Sequence, residues 1–308
     1  MTAEQPSALV IGATGQTGRL IVDEFRRDPG GVKVRLAARK QADVEKLRAA
    51  GKEAVLLDLD DPKTFGTALA GVDRLFLLTG YTVAMLHQSK TLVDGAVKAG
   101  VSHVVHQGIF ANWDTTDPHF VWHQMIEKYI EASGVGWTHL HPNYFMENLT
   151  GITPIKGGSF SMYCGDRRVG WVALKDVAAV AAAVLRDGPE KHGGKDYWLS
   201  TDVLNGPEAA SVLTDVLGRE VRCDLKQPDD LKAMLASGTM LVEPNYAEGA
   251  VEFMRQVMDG RMGYIGTVRD DVPFVTGRAS TTFRQWAEEN RAVLLKAMAA
   301  EPAVRRLS

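Results

Sequence analysis

Short, nearly continuous apolar runs alternate with amphipathic stretches through the first half of the chain. SALVIGA (7–13), VKVRLAAR (32–39), EAVLLDL (53–59), RLFLLTG (74–80) and HVVHQGIF (103–110) read as strands covered on both faces. A strand with one wet face would alternate apolar and polar residues instead. GRLIVDEFRRD and ADVEKLRAAG, between them, carry a helical pattern, and a sixth strand is expected at WTHLHP (137–142). Strands and helices in this rhythm predict an α/β fold with a parallel, doubly wound sheet.

After Pro142 the pattern changes. Residues 144–170 are rich in aromatics and glycine and show no clear period. ALKDVAAVAAAVLRD (173–187) predicts a helix whose small alanine face suits close packing on a sheet, and DYWLS (196–200) predicts one more strand. From Asn205 onward the pattern is mostly helical, with helices expected at 207–217 and 244–259. STTFRQWAEENRAVLLKAM reads as one closing helix capped by Ser280 or Thr281. The expected architecture is a Rossmann domain over 1–150, continued by 171–204. A smaller interleaved C-terminal lobe takes 151–170 and 205–308. The cleft between them is expected at the carboxyl ends of the strands, where open α/β sheets bind ligands.

Composition narrows the partners. Of 308 residues 45% are apolar and 24% charged, which suits an ordinary globular protein, and the net charge of −3 gives no reason to expect nucleic-acid binding. No apolar run approaches the ~20 residues of a membrane span. The first residues, MTAEQPSALVIGATG, lack the basic and apolar regions of a signal peptide. Cys164 and Cys223 are far apart and form no CxxC, so neither a disulfide framework nor a zinc site is expected, and two free thiols fit a reducing cytoplasm.

GATGQTG (12–18) follows the first strand and opens the first helix. Gly12 permits a tight turn, Gly15 lets the backbone approach a pyrophosphate, and Gly18 allows close helix–strand packing. The second strand ends in LAARK, where NAD-specific proteins usually place a carboxylate for the ribose 2′-OH. Ala37, Ala38, Arg39 and Lys40 stand there instead. Arg39 and Lys40 are either a 2′-phosphate site, which selects NADP(H), or a solvated loop. Asp58, closing the third strand, is placed to meet an adenine amino group, while Asp60 or Asp61 caps a helix before Pro62.

GATGQTG, LAARK, AGVDRLFLLTG, AVKAGVSHVVHQG, IEKYIEASGVGWTHLHPNYFMENL and TGRASTTFRQWAEEN occur in this order. Over nearly its whole length the chain resembles the NmrA-like group of atypical short-chain dehydrogenases, most of all its triphenylmethane reductase and quinone reductase branch. The resemblance implies an NADP-dependent oxidoreductase, and it also allows a non-catalytic NADP(H) sensor acting through a protein partner. It implies that Gly12, Thr14, Gly15, Gln16, Thr17 and Gly18 hold the pyrophosphate, Arg39 the 2′-phosphate, and that Asp58 with Leu59 borders the adenine. Thr79, Gly80 and Tyr81 would line the nicotinamide ribose. Gln107 and Gly108, with Pro142, Asn143, Tyr144 and Phe145, would surround the nicotinamide and substrate. The group often has Ser or Thr at Gln107 and Arg at His141, so the substrate pocket is expected to differ in detail.

Typical short-chain dehydrogenases protonate an alkoxide with a Tyr activated by a Lys four residues on. None of Tyr81, Tyr129, Tyr144, Tyr163, Tyr197, Tyr246 and Tyr264 has that lysine. The remaining candidate is VWHQMIEKYI (121–130). At ~100° per residue, Val121, Trp122, Met125, Ile126, Tyr129 and Ile130 form an apolar arc with His123 at its edge. Glu127, four residues on, is expected to hydrogen-bond His123 and raise its pKa, whereas Lys128 points elsewhere. His123 is then a proton donor, a pocket wall or a helix-surface pair with Glu127. No third ligand for a metal is evident beside these two.

The acceptor decides whether a donor is needed. Hydride transfer to a plain ketone leaves an alkoxide roughly as basic as hydroxide, water's own pKa being ~15.7. A reduced quinone is a phenolate of pKa about 10. A triarylmethyl cation becomes a neutral product and needs no proton. The expected substrate is therefore a small aromatic or conjugated acceptor, with a plain ketone reduced through His123 as the competing case. Tyr144, Phe145, Met146, Phe160, Met162 and Tyr163 are expected to wall the pocket, with Trp113 and Trp122 nearby. A homodimer is compatible with this reading.

Overall fold

The computed structural model describes residues 5–236, 240–241, 243–299 and 305–306. The first half runs β1 (Ser7–Val10), α1 (Gln16–Arg27), β2 (Lys33–Ala38), α2 (Gln41–Ala49), β3 (Ala54–Leu56), α3 (Phe65–Leu69), β4 (Arg74–Leu77), α4 (Met85–Ala99), β5 (His103–Gln107), α5 (Pro118–Ala132) and β6 (Gly136–Pro142). There follow β7 (Tyr144–Phe145), β8 (Ser159–Met162), β9 (Val169–Val172), α6 (Leu174–Asp187), α7 (Pro189–His192) and β10 (Lys195–Leu199). The rest comprises β11 (Asp202–Leu204), α8 (Gly206–Leu217), β12 (Arg222–Leu225), α9 (Pro228–Ala236), α10 (Pro244–Met258), α11 (Asp271–Thr276), α12 (Phe283–Glu289) and α13 (Arg291–Ala299).

Seven strands form the central sheet in the order β10-β6-β5-β4-β1-β2-β3. Every pair in it is parallel. The continuous apolar runs now have their reason. Ala8 and Val10 of β1 enter a core beneath α1 and α6, while Leu9 and Ile11 enter the opposite core beneath α3, α4 and α5. The alanines of α6, including Ala178, Ala181 and Ala182, pack into the first of these cores. Because β1 pairs with both β2 and β4, the strand order reverses there and a crevice opens at the carboxyl edge.

Apart from the two faces of the sheet, which make up its own core, a second core lies beyond β6, built on Met146, Leu149, Phe160, Met162, Trp171, Leu213, Phe283 and Trp286. Strands that start within 144–170, where no period is visible, enter two small sheets. β9 runs parallel to β7 and antiparallel to β11, and β8 runs parallel to β12.

The closing segment differs from expectation. It breaks at Asn290, whose side-chain amide donates to the Trp286 carbonyl at 2.9 Å, giving α12 and α13 in place of one helix. The cap is Thr282, in a capping box with Gln285, and neither Ser280 nor Thr281. Thr281 instead ties the segment to α6, giving both its N–H and its hydroxyl to Asp176 at 2.8 and 2.9 Å. Among the described residues no helix is long and apolar enough to cross a membrane.

Candidate active site

Gly12 takes φ +68°, in the left-handed region glycine favours. A β-carbon on Gly18 would sit 2.2 Å from the Gly12 carbonyl oxygen, so only glycine lets α1 start this close to β1. α1 has no side-chain cap and no acidic residue in its first turn, which leaves its N-terminal N–H groups open to an anion. Thr14, Gly15 and Gln16 are exposed, and Thr17 is buried beneath them. At the end of β2, Arg39 and Lys40 are exposed, and neither forms an ion pair among the described residues. Asp58 Oδ1 accepts the Asp60 N–H at 3.1 Å and Leu59 is half-buried beside it. Asp61 is the acid that caps before Pro62, accepting from the Lys63 N–H. The turn and the ends of β2 and β3 adjoin, since Ala13 N–H donates to Ala37 and Leu57 N–H to Ala38.

A cavity of about 240 Å³ continues from this edge across the ends of β4, β5 and β6. Thr79, Gly80, Tyr81, Gln107, Gly108, Pro142, Asn143, Tyr144 and Phe145 all line it, as does His123. It adjoins the glycine turn, because a β-carbon on Gly12 would meet Leu78 Cδ2 at 3.1 Å. The Gln107 side-chain oxygen is buried in the lining without a hydrogen-bond partner among the described residues. Asn143 is a brace: its amide donates to the Ile265 carbonyl at 2.8 Å, fastening β6 to the second core.

Among the described residues, no lysine, arginine, aspartate or glutamate lines this cavity. Its ionisable groups are all held uncharged by burial. Tyr144 is pushed up to about 12, Tyr246 well above its usual value, and Tyr81 and Tyr163 upward as well. The Cys164 thiol is pushed up to about 11. Burial lowers His119 to about 4 and His123 well below the usual imidazole range, with the neighbouring histidines adding to the fall for His123. Among the described residues a Tyr–Lys dyad is therefore absent from the cavity in space as well as in sequence. The tyrosine with a lysine over its ring, Tyr129 with Lys90 at 5.7 Å, is not part of the cavity.

The expectation for α5 is corrected on three points. α5 buries His119, Phe120, His123, Ile126, Glu127 and Ile130, while Met125 is 59% exposed, so the histidine–glutamate edge is the inner face. Glu127 does not pair with His123. Its Oε1 lies 3.6 Å from His141 Nδ1 and 4.0 Å from His106 Nδ1. The pKa of His123 is accordingly lowered, not raised. Glu127 itself is pushed up to about 7, burial outweighing the pull of His141. His141 has the opposite character. Its two nitrogens face the Ile109 carbonyl and Asp196 Oδ1, each at 2.9 Å, an arrangement only the imidazolium satisfies. Burial opposes that charge, but Asp196 and Glu127 outweigh it and raise its pKa.

Of the expected walls, Tyr144, Phe145, Met162 and Tyr163 line the cavity. Met146 and Phe160 are second-core residues, Trp122 packs under the sheet, and Trp113 is 88% exposed. The other wall was missed: Tyr246, Ala250, Phe253, Met254 and Val257 of α10, with His119 of α5. Their spacing along α10 is that of one helix face, so the periodicity was readable although its destination was not. Tyr246 joins the two sides, its ring 5.5 Å from Tyr81 and 4.4 Å from His119.

The sheet order, the glycine turn at its switch point and the cleft at its carboxyl edge define a Rossmann-type dinucleotide-binding protein. More particularly, the chain belongs to the NmrA-like family, whose profile matches residues 5–271. An NAD(P)H azoreductase of Xenophilus azovorans is 29% identical over 290 residues, 92% of this chain and 98% of that one. A (4-alkanoyl-5-oxo-2,5-dihydrofuran-3-yl)methyl phosphate reductase of Streptomyces griseus is 30% identical over 287 residues, 92% and 97% of the two chains. The triphenylmethane reductase of Citrobacter sp., solved with NADP(H), shares the fold with a TM-score of 0.77 at 22% identity, covering 94% of this chain and 100% of that one.

Proposed function

We propose that this protein is an NADPH-dependent oxidoreductase that reduces conjugated acceptors such as quinones, cationic dyes and activated alkenes or carbonyls. The observation that carries the reading is the uncharged cleft, aromatic and methionine-lined, at the carboxyl edge of a dinucleotide-type sheet. The relatives named as reductases of azo compounds and of an unsaturated lactone-type phosphate support it.

The residues fit the cofactor. The side-chain-free turn at Gly12, Gly15 and Gly18, with Thr14, Gln16 and Thr17, presents backbone N–H groups to phosphates. Arg39, with Lys40 beside it, is free to take a 2′-phosphate. Asp58 and Leu59 border the adenine side, and Thr79, Gly80, Tyr81, Gln107, Gly108, Pro142, Asn143, Tyr144 and Phe145 line the reacting end. We assign 1–150 with 171–204 to the cofactor, and 151–170 with 205–308 to the acceptor.

NADPH supplies the hydride when bound. The chain's own residues position a flat acceptor between Tyr144, Phe145 and the α10 face, and exclude water from it. His123 contacts the acceptor as a neutral wall. A cleft whose acids are all held protonated and whose histidines are all held neutral gives an alkoxide no strong proton source. Reduction then favours acceptors whose products are neutral or are only as basic as a phenolate. NADPH consumption with a panel of quinones, triarylmethyl dyes and enones tests this. Turnover of at least one class is expected, and no turnover of any would overturn the reading.

A further inference from the structure

Behind the cleft lies a group of side chains that the proposed reaction does not use. His106 and His139 are direct partners across β5 and β6, and their rings meet edge to face at 5.5 Å. α5 lays Glu127 against this pair. One ring nitrogen of each histidine and one carboxylate oxygen lie within 4.8 Å of one another, and all three residues are buried. Neither nitrogen of His106 and neither nitrogen of His139 has a hydrogen-bond partner among the described residues. Buried ring nitrogens are costly to leave unmatched, and here one from each of two such rings converges on a carboxylate oxygen.

We propose that His106, His139 and Glu127 form a binding site for one divalent transition-metal ion of the zinc type, seated between α5 and the β5–β6 part of the sheet. Two imidazoles and a carboxylate suit Zn²⁺ or Co²⁺ and do not suit Mg²⁺ or Ca²⁺, which prefer all-oxygen ligands. Both rings are fully buried, and an imidazole binds a metal through the lone pair of its neutral form. Zn–N and Zn–O bonds of about 2.0–2.2 Å put tetrahedral ligand atoms roughly 3.4 Å apart. Closing from the present spacing takes about 1 Å of side-chain movement. Outer partners are also in place: His141 adjoins Glu127 at 3.6 Å, and Glu131 adjoins His139 Nε2 at 3.7 Å.

The site backs directly onto the cleft. A β-carbon on Gly108, which lines the cavity, would stand 2.4 Å from Glu127 Oε1. An ion there fastens α5 to the cleft floor and fixes the helix that carries His119 and His123. It is a staple, and the three protein ligands leave a fourth position to be filled by a water.

The test uses the full, tag-free chain stripped with a chelator. Titration with Co²⁺ should develop the visible absorption of tetrahedral cobalt and saturate at one equivalent, and Zn²⁺ should abolish it and raise Tm. His139→Asn and Glu127→Gln should each weaken Co²⁺ binding at least tenfold, whereas His87→Asn, at an exposed position, should leave it unchanged. X-ray absorption of the zinc-loaded wild type, which needs no variant, should count two imidazoles. Substoichiometric Co²⁺ binding by the wild type, a different imidazole count, or binding unchanged in folded His139→Asn and Glu127→Gln would overturn the proposal.

Discussion

At the scale of single residues, His123 separates what the sequence carried from what packing decided. Its place at the edge of an apolar face was readable, and it does line the cleft. Its partner was not readable, because helical spacing offers Glu127 while β5 and β6 bring His106 and His141 nearer to that carboxylate. If His123 is a wall, His123→Phe should keep kcat for quinone reduction within about threefold and shift mainly KM. Loss of a true general acid costs about 10²–10⁴-fold in kcat, so a fall of that size would make His123 the donor. Arg39 makes a second residue-scale prediction. A charge-assisted hydrogen bond contributes about 1.5–3 kcal/mol, so Arg39→Ala should weaken NADPH binding roughly 10- to 100-fold and leave NADH nearly unchanged. Equal effects on both cofactors, measured by fluorescence titration, would remove Arg39 from the 2′-phosphate site.

At the scale of elements, the strands of the central sheet were legible because both their faces are buried and their runs are therefore unbroken. The pairings at β7–β9 and β8–β12 were not, being only two to four residues long and too short to show a period. The break at Asn290 was equally hidden, since the apolar pattern continues across it. α5 carries a prediction of its own. Its cap, Asp117, is buried and accepts the Phe120 N–H at 2.9 Å. Burial, helped by Glu252, pushes its pKa from 3.8 up to about 7 although hydrogen bonds oppose this. Between those values the folded chain binds a proton that the unfolded chain has released, so this group makes stability fall as pH rises through that window. Asn caps comparably without the charge. Asp117→Asn should therefore raise Tm at pH 8, with the gain shrinking to nothing near pH 4. A gain that is constant across pH, or larger in acid, would contradict the assignment.

At the scale of the whole molecule, the glycine turn and strand ends located the cleft from sequence, and only the tertiary structure located its far wall. α10 follows a stretch of chain far from β4–β6, and nothing in its own pattern says which surface its Tyr246–Phe253–Val257 face will meet. Among the described residues the assembled cleft holds no charged side chain, and its titratable groups stay neutral at ordinary pH. Under the proposed function, that property restricts the enzyme to acceptors that need no protein acid. The most direct measurement is kcat/KM with NADPH for a triarylmethyl cation and for an uncharged diaryl ketone of similar size. The dye, whose reduction needs no proton, should be favoured by at least about 100-fold, the low end of what general acid catalysis contributes. Comparable rates for the two would show that the cleft delivers a proton and would contradict the proposed restriction.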